Sequence, residues 1–111
     1  MDVKEIDRYI NKYFLAPYRI RILKGRIEYQ IGMNGKCSQR YTDEINYLYD
    51  YIEKIETIVG EDDLELLEVF RMDNKAVLLE YNMSKHKVWN YRKRIRSKII
   101  EAINTKQLEV L

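Results

Sequence analysis

The stretch YNMSKHKVWNYRKRIRSK, residues 81–98, decides how the whole sequence is interpreted. Residues 75–98 contain eight lysines and arginines but only one acidic residue, Glu80. A basic run of this kind is most often a solvated helix face, so charge alone does not indicate binding to a polyanion. The order of the neighbouring residues is more informative.

A turn is predicted near the start of this stretch. Asn82 tolerates a left-handed backbone, Met83 is apolar, and Ser84 is a favoured helix cap. These residues predict a turn between a short helix at 75–81 and a long helix that ends near Ile103. The pattern is typical of a helix-turn-helix, in which two helices pack across a tight turn.

The long helix is predicted to have two faces. Spacings of three and four residues place Val88, Tyr91 and Ile95 on one side, toward the short helix. Cations on the other side can neutralise phosphates, and an asparagine can bond an adenine edge. The candidate DNA-binding residues are Lys85, His86, Asn90 and Lys93 for bases, Lys75, Lys87 and Arg92 for phosphates, and Ser84 as the cap. We expect Arg94, Arg96 and Lys98 to bind phosphates or to face solvent.

Two residues of this helix have alternative interpretations. Trp89 is either a partly exposed DNA contact or a core residue against the N-terminal helices. His86 is either a DNA contact or a surface side chain, because one histidine and the distant Cys37 cannot make a zinc site. The sequence has no phosphate-binding glycine loop and no nucleophile–base pair, so we expect neither an enzyme nor a cofactor.

The composition predicts one helical domain. The 111 residues are 46% apolar and 34% charged, with four glycines and one proline, which favours a folded and mostly helical chain. No apolar run approaches the roughly 18 residues of a membrane span, and the N-terminus lacks a signal-peptide pattern. Together with the single Cys37, these features favour a cytoplasmic protein that does not bind membranes.

The N-terminal part is predicted to form a helical hairpin. Asp2 is a candidate cap for a helix over 3–15, and Pro17 either ends that helix or begins the next. Residues 18–31 fit both a helix and a pair of strands that turns at Lys24-Gly25. We favour the helix, because two strands without a third would be marginally stable.

The remaining elements complete an all-α fold. A loop is predicted over 32–41, followed by a helix that is capped by Thr42 and ended by Gly60. The next helix begins at Asp62 or Asp63 and carries Leu64, Leu67 and Phe70 inward. A turn is predicted at 72–75, and a frayed tail after Asn104. We therefore expect an N-terminal helical hairpin at 1–60, for dimerisation or partner binding, and a three-helix DNA-binding unit at 61–111.

Charge is strongly segregated along the chain. Residues 43–74 carry eleven acidic and two basic side chains, whereas the segments on either side are basic. This acidic segment is either a solvated face or packs near basic helices of a partner subunit. The apolar stripe over 45–59 exceeds what one small three-helix unit can cover, so we expect a homodimer.

Residues 62–103 resemble the helix-turn-helix of sigma-70 region 4. The whole chain is similar to small phage and prophage regulators of the RinA and ArpU group, in helix order and in the pattern VLLEYNMSKHKVWNYRKRI at 77–95. It departs from that pattern at Leu78, where alanine is common, and at Asn82, where glycine is common. The resemblance implies sequence-specific binding of double-stranded DNA, transcription regulation of late genes in a bacterial host cell, and a contact with RNA polymerase.

Two other functions fit the same sequence. A small terminase-like subunit would use the motif to mark viral DNA for packaging, and would assemble as a ring. A purely protein-binding helical module would capture its partner with the hairpin, and its basic helix would not meet DNA. The mass in solution distinguishes a ring-forming packaging subunit from a regulator. A test of DNA binding distinguishes a purely protein-binding module from both.

Overall fold

The computed structural model describes all 111 residues, and the all-α prediction is confirmed. The elements are α1 Val3–Asn34, α2 Gln39–Val59, α3 Glu61–Leu64, a 3₁₀ helix Leu67–Arg71, α4 Asn74–Glu80 and α5 Lys85–Asn104. The first two helices form a long antiparallel hairpin, and the other elements gather at one end of it. The molecule is accordingly elongated, measuring 56 × 34 × 24 Å.

α1 is one continuous helix, so the break expected at Pro17 is wrong and residues 18–31 form no strands. A proline inside a helix removes one backbone hydrogen bond and strains the preceding turn. Apolar residues before and after Pro17 are nevertheless buried together against α2. This second core cluster consists of Ala16, Ile20, Leu23, Ile45 and Leu48. Burial of this cluster favours a single helix that continues through Pro17.

The caps show where local sequence rules hold. The Asp2 carboxylate accepts a hydrogen bond of 2.8 Å from the Glu5 N–H, as predicted. Gly35 ends α1 in the left-handed region, at φ 74°, and its N–H donates to the Ile31 carbonyl. The loop is therefore limited to 35–38, shorter than the predicted 32–41.

α2 begins one turn earlier than predicted. Ser38, not Thr42, occupies the cap position, and its N–H donates to the Gln30 side-chain oxygen at 2.9 Å. The added turn includes Tyr41, which packs against the second core cluster. Burial of that ring favours the earlier start. Gly60 ends α2 at φ 86°, as predicted.

The single helix expected from Asp62 or Asp63 is wrong, because the chain makes one turn of α3 and then a separate 3₁₀ helix. Leu67 is buried and Phe70 half-buried, as expected, but Val69 is buried as well. A regular α-helix would place residues 67 and 69 on nearly opposite sides. The tighter path allows both to enter the core.

The main core joins the two halves of the chain. Fifteen buried residues form it, drawn from α1, α2, the 3₁₀ helix, α4, α5 and the C-terminal tail. The tail does not fray, which corrects the sequence prediction. Leu108 is buried, its N–H donates to the Ala102 carbonyl, and the Leu111 N–H donates to the Tyr9 hydroxyl at 2.9 Å.

None of the helices combines the length and apolar character that crossing a bilayer requires.

Candidate nucleic-acid interface

The connection between α4 and α5 has the predicted turn and cap. Asp73 caps α4 by accepting a hydrogen bond of 2.8 Å from the Ala76 N–H. Asn82 lies in the left-handed region, at φ 50°, and reverses the chain. The Ser84 hydroxyl oxygen then accepts a hydrogen bond of 3.2 Å from the Lys87 N–H and starts α5.

One face of α5 is buried as predicted. Val88, Tyr91 and Ile95 lie in the main core with Val77 of α4. The Tyr91 hydroxyl donates a 2.7 Å hydrogen bond to the Asp63 carbonyl, and burial raises the pKa of Tyr91. These contacts fix the rotation of α5 about its axis, and with it the direction of the opposite face.

The position of Leu78 explains how the chain accommodates a leucine where alanine is common in the motif. Its side chain is half-buried at the edge of the contact between α4 and α5, beside the exposed Trp89. There it lines an open cavity of about 310 Å³ together with Trp89 and Arg96. The leucine therefore fills the rim of the contact and not its centre.

The opposite face of α5 is exposed and basic. His86, Asn90 and Lys93 follow at spacings of four and three residues and lie on one outward stripe of the helix, with Lys85 and Lys87 at its flanks. All of these residues and Lys75 at the start of α4 are exposed. No carboxylate lies within salt-bridge distance of Lys75, Lys85, Lys87 or Lys93. Four cations are thus available to an external anion.

Trp89 belongs to the surface and not to the core. Its side chain is 57% exposed, which excludes the core interpretation, and the contact with DNA stays a prediction. It stacks on His86 with a centroid separation of 6.3 Å and an interplanar angle of 18°. The Lys93 ammonium lies 4.9 Å from the Trp89 ring centroid. An aromatic surface therefore lies beside the exposed cations.

Arg92 is placed differently from the other candidate residues. Its guanidinium donates to the Asn74 side-chain oxygen at 2.8 Å and to the Val69 carbonyl at 3.0 Å. These bonds attach α5 to the 3₁₀ helix and to the start of α4. The assignment of Arg92 to phosphate stays a prediction, but its two terminal nitrogens already bind protein acceptors.

The basic residues farther along α5 are paired with carboxylates, although Arg94 is also 51% exposed to solvent, as expected. Arg94 and Lys98 bind the two oxygens of Asp63 at 2.7 and 2.9 Å. The hydrogen bond from Arg94, supported by Lys98, lowers the pKa of Asp63 to about 2. Arg96 binds the Asp7 carboxylate. The cations at 94, 96 and 98 are therefore neutralised within the chain.

Sequence reasoning missed these pairs because the partners are far apart in the chain. Asp63 lies 31 residues before Arg94, and Asp7 lies 89 residues before Arg96. The segregated charge of the sequence was the available signal, since an acidic segment and a basic helix in one small domain can neutralise each other. Part of the acidic segment thus has an internal role.

Comparison with known protein families, with curated proteins and with solved structures found no match to this chain. Its function is therefore inferred from its own residues.

Proposed function

We propose that the chain is a sequence-specific regulator of transcription that inserts the first half of α5 into the major groove of double-stranded DNA. The observation that carries the proposal is the division of basic residues along α5. The lysines at 85, 87 and 93 are exposed and have no carboxylate partner, whereas the basic residues at 92, 94, 96 and 98 bind protein acceptors. Recognition helices read bases with their N-terminal residues, and the unpaired cations lie there.

The exposed side chains suit distinct roles at such an interface. Asn90, on the outward stripe, has the donor and acceptor that pair with the edge of adenine. Lys85, His86 and Lys93 are long or planar donors suited to guanine edges. Lys87 and Lys75 lie to the sides, where they would neutralise phosphates. Ser84 would act indirectly, by fixing the start of the helix.

The resemblance of residues 62–103 to sigma-70 region 4, which rests on the sequence pattern alone, is the support for a more specific role. It favours regulation of late genes in a phage or prophage, inside the bacterial host, with a contact to RNA polymerase. The part of the α1–α2 hairpin that holds the second core cluster receives no residue from α5, and it offers a separate surface for such a partner.

Titration of the intact chain with duplex DNA at two salt concentrations tests the proposal. Lys87→Ala should weaken binding to all sequences alike and lower the slope of log K against log salt by about one. Asn90→Ala should instead lower discrimination at one base pair by about 1–3 kcal/mol. Lys36→Ala, which removes an exposed lysine at the hairpin loop, is the matched control and should change neither quantity.

Absence of salt-dependent DNA binding by the intact chain would contradict the proposal and favour a protein-binding module. DNA binding by a ring-shaped assembly would favour packaging over transcription, because regulators of this motif bind as monomers or dimers. Mass measurement of the free chain and of its complex separates the two.

A further inference from the structure

From Leu15 onward, α1 is apolar on two opposite sides, and only one of them has a partner. One side packs on α2 through the second core cluster. The other carries Leu15, Tyr18, Ile22 and Tyr29, which are 61, 52, 51 and 69% exposed. Gly25 and Gly32 continue the same line. We call these six residues the α1 stripe.

Nothing within one copy of the chain explains the two glycines of the α1 stripe. A glycine in a helix interior costs about 1 kcal/mol relative to alanine. A Cβ added at Gly25 or at Gly32 would meet no atom within 4 Å, and neither residue has a positive φ. A second helix lying close against α1 would instead require small residues at these positions.

The spacing of the α1 stripe matches the seam of a helix pair. Residues 15, 18, 22, 25, 29 and 32 are separated alternately by three and four positions. That period of 3.5 residues is the one at which two α-helices remain in contact along their length. We propose that a second copy of this chain covers the α1 stripe, with the two α1 helices antiparallel and related by a two-fold axis level with Leu23 and Lys24.

The antiparallel arrangement matches large residues with small ones. It places Leu15 opposite the partner's Gly32, Ile22 opposite the partner's Gly25, and Tyr18 opposite the partner's Tyr29. Each layer then contains either one bulky side chain facing a glycine or two aromatic rings. A parallel pair would place each glycine opposite another glycine and leave gaps in the seam, which close-packed interfaces avoid.

Charge also favours the antiparallel copy. Arg21 and Glu28 flank the same edge of the α1 stripe, seven residues apart. In the antiparallel pair Arg21 faces the partner's Glu28, and the two-fold axis repeats this contact. In a parallel pair Arg21 would face the partner's Arg26, and like charges would repel.

The other edge of the α1 stripe is compatible with the same arrangement. There Arg26 faces the partner's Arg19. The Arg19 guanidinium is already bound by both oxygens of Glu44 within its own chain, at 2.6 and 3.1 Å. Because that charge is compensated, this contact opposes association less than two free arginines would.

The proposal goes beyond DNA binding and does not depend on it. A dimer formed through α1 leaves the basic face of α5 exposed on each subunit. If α5 binds DNA, two such faces related by a two-fold axis require an operator with two-fold symmetry.

Sedimentation equilibrium of the full chain, from micromolar to submillimolar concentration, tests the association. Ile22→Glu buries a charge at the seam and should weaken the dimer at least about tenfold. Ile31→Glu is the matched control: Ile31 is 49% exposed, close to the 51% of Ile22, but lies off the α1 stripe, and its substitution should leave the dimer unchanged. Far-ultraviolet circular dichroism checks that both variants are folded.

Charge reversal tests the register. Arg21→Glu and Glu28→Arg should each weaken the dimer, and the double variant should restore it, because the pair is then reversed and still complementary. A double variant weaker than both single variants would overturn the antiparallel arrangement.

Cross-linking tests the orientation in a Cys37→Ser background. Chains with Tyr18→Cys mixed with chains with Tyr29→Cys should form a mixed disulfide. Tyr18→Cys alone should not, since two copies of residue 18 are about 16 Å apart along an antiparallel pair. A monomeric parent at all concentrations, an undiminished dimer for Ile22→Glu, or cross-linking of Tyr18→Cys to itself would each overturn the proposal.

Discussion

The Arg96 guanidinium donates two hydrogen bonds, both 2.9 Å long, to the Asp7 carboxylate, and so attaches the last long helix to the first. The side chains of the pair are only 25% and 30% exposed. The guanidinium also lies 5.4 Å from the centroid of the Phe70 ring. A bidentate, partly buried arginine of this kind contributes more than an ordinary surface ion pair.

Arg96→Ala should therefore lower the free energy of unfolding by about 1–2 kcal/mol, measured by urea denaturation. A double-mutant cycle with Asp7→Asn should show favourable coupling between the two residues. The salt dependence of DNA binding should stay at the parental value. A slope lowered by about one, as expected for Lys87→Ala, would show that Arg96 binds phosphate and would contradict the structural role.

The lowered pKa of Asp63 predicts that the stability of the fold depends on pH in the acidic range. Its folded pKa of about 2 lies below the ordinary value of 3.8, because Arg94 and Lys98 stabilise the ionised form. Because the pKa of the Asp63 carboxyl is lower in the folded chain than in the unfolded chain, its ionised form stabilises the fold. This stabilisation is fully present above the pKa of the unfolded chain, and it is lost as the pH falls through the pKa of the folded chain.

Asp63→Asn should thus unfold at a lower temperature than the parent at pH 7, and the difference should shrink as the pH falls from about 4 to about 2. Thermal unfolding followed by circular dichroism across this range measures it. Glu65→Gln removes an exposed carboxylate nearby in the sequence and serves as the control. A difference that is constant with pH would contradict ionic stabilisation by Asp63.

Features governed by neighbouring residues could be predicted from the sequence. Asn82 and Ser84 specify a turn and a cap through their own backbone preferences, and Asp2 and Gly60 act in the same way. The continuous helix through Pro17 could not be predicted from local rules, because the local cost of the proline is outweighed by packing of α1 on α2. The burial of Val69 was missed for a similar reason, since its contacts come from distant parts of the chain.

The sequence predicts which side of α5 is exposed, but it does not predict which of the basic residues have protein partners. Helical spacing alone identifies the buried Val88 and Ile95, and so the exposed side of α5. It does not reveal which cations already have partners, because Asp7, Asp63 and the carbonyl of Val69 approach α5 only in the folded chain. In the sequence, Arg92 is therefore equivalent to Lys87 as a candidate phosphate contact, and Arg96 is free to bind phosphate or to face solvent.

The left-handed backbone of Asn82 gives a further prediction. Glycine adopts φ 50° without strain, whereas a β-branched residue does not. Asn82→Gly should change the free energy of unfolding by only a few tenths of a kcal/mol, and Asn82→Val should lower it by about 1–2 kcal/mol. Denaturation by urea measures both, with Lys85→Val as a control for adding valine at an exposed site nearby. Equal effects of glycine and valine at position 82 would contradict a strained turn.

Trp89 offers a direct optical test of the basic face, because it is the only tryptophan of the chain. Its exposed ring predicts emission close to that of free tryptophan in water and ready quenching by iodide. If α5 enters the major groove, duplex DNA should reduce iodide quenching. Trp89→Ala should change the free energy of unfolding by less than about 0.5 kcal/mol, as is usual for surface positions, while weakening DNA binding.

Iodide is attracted to exposed lysines, so acrylamide, a neutral quencher, is the control for loss of that attraction on DNA binding. Protection from both quenchers indicates that DNA covers the ring. Protection from iodide alone indicates that DNA neutralises Lys93 and its neighbours without covering Trp89. Emission of a buried ring in the free chain would contradict the exposed position of Trp89 beside His86, and with it the described face of α5.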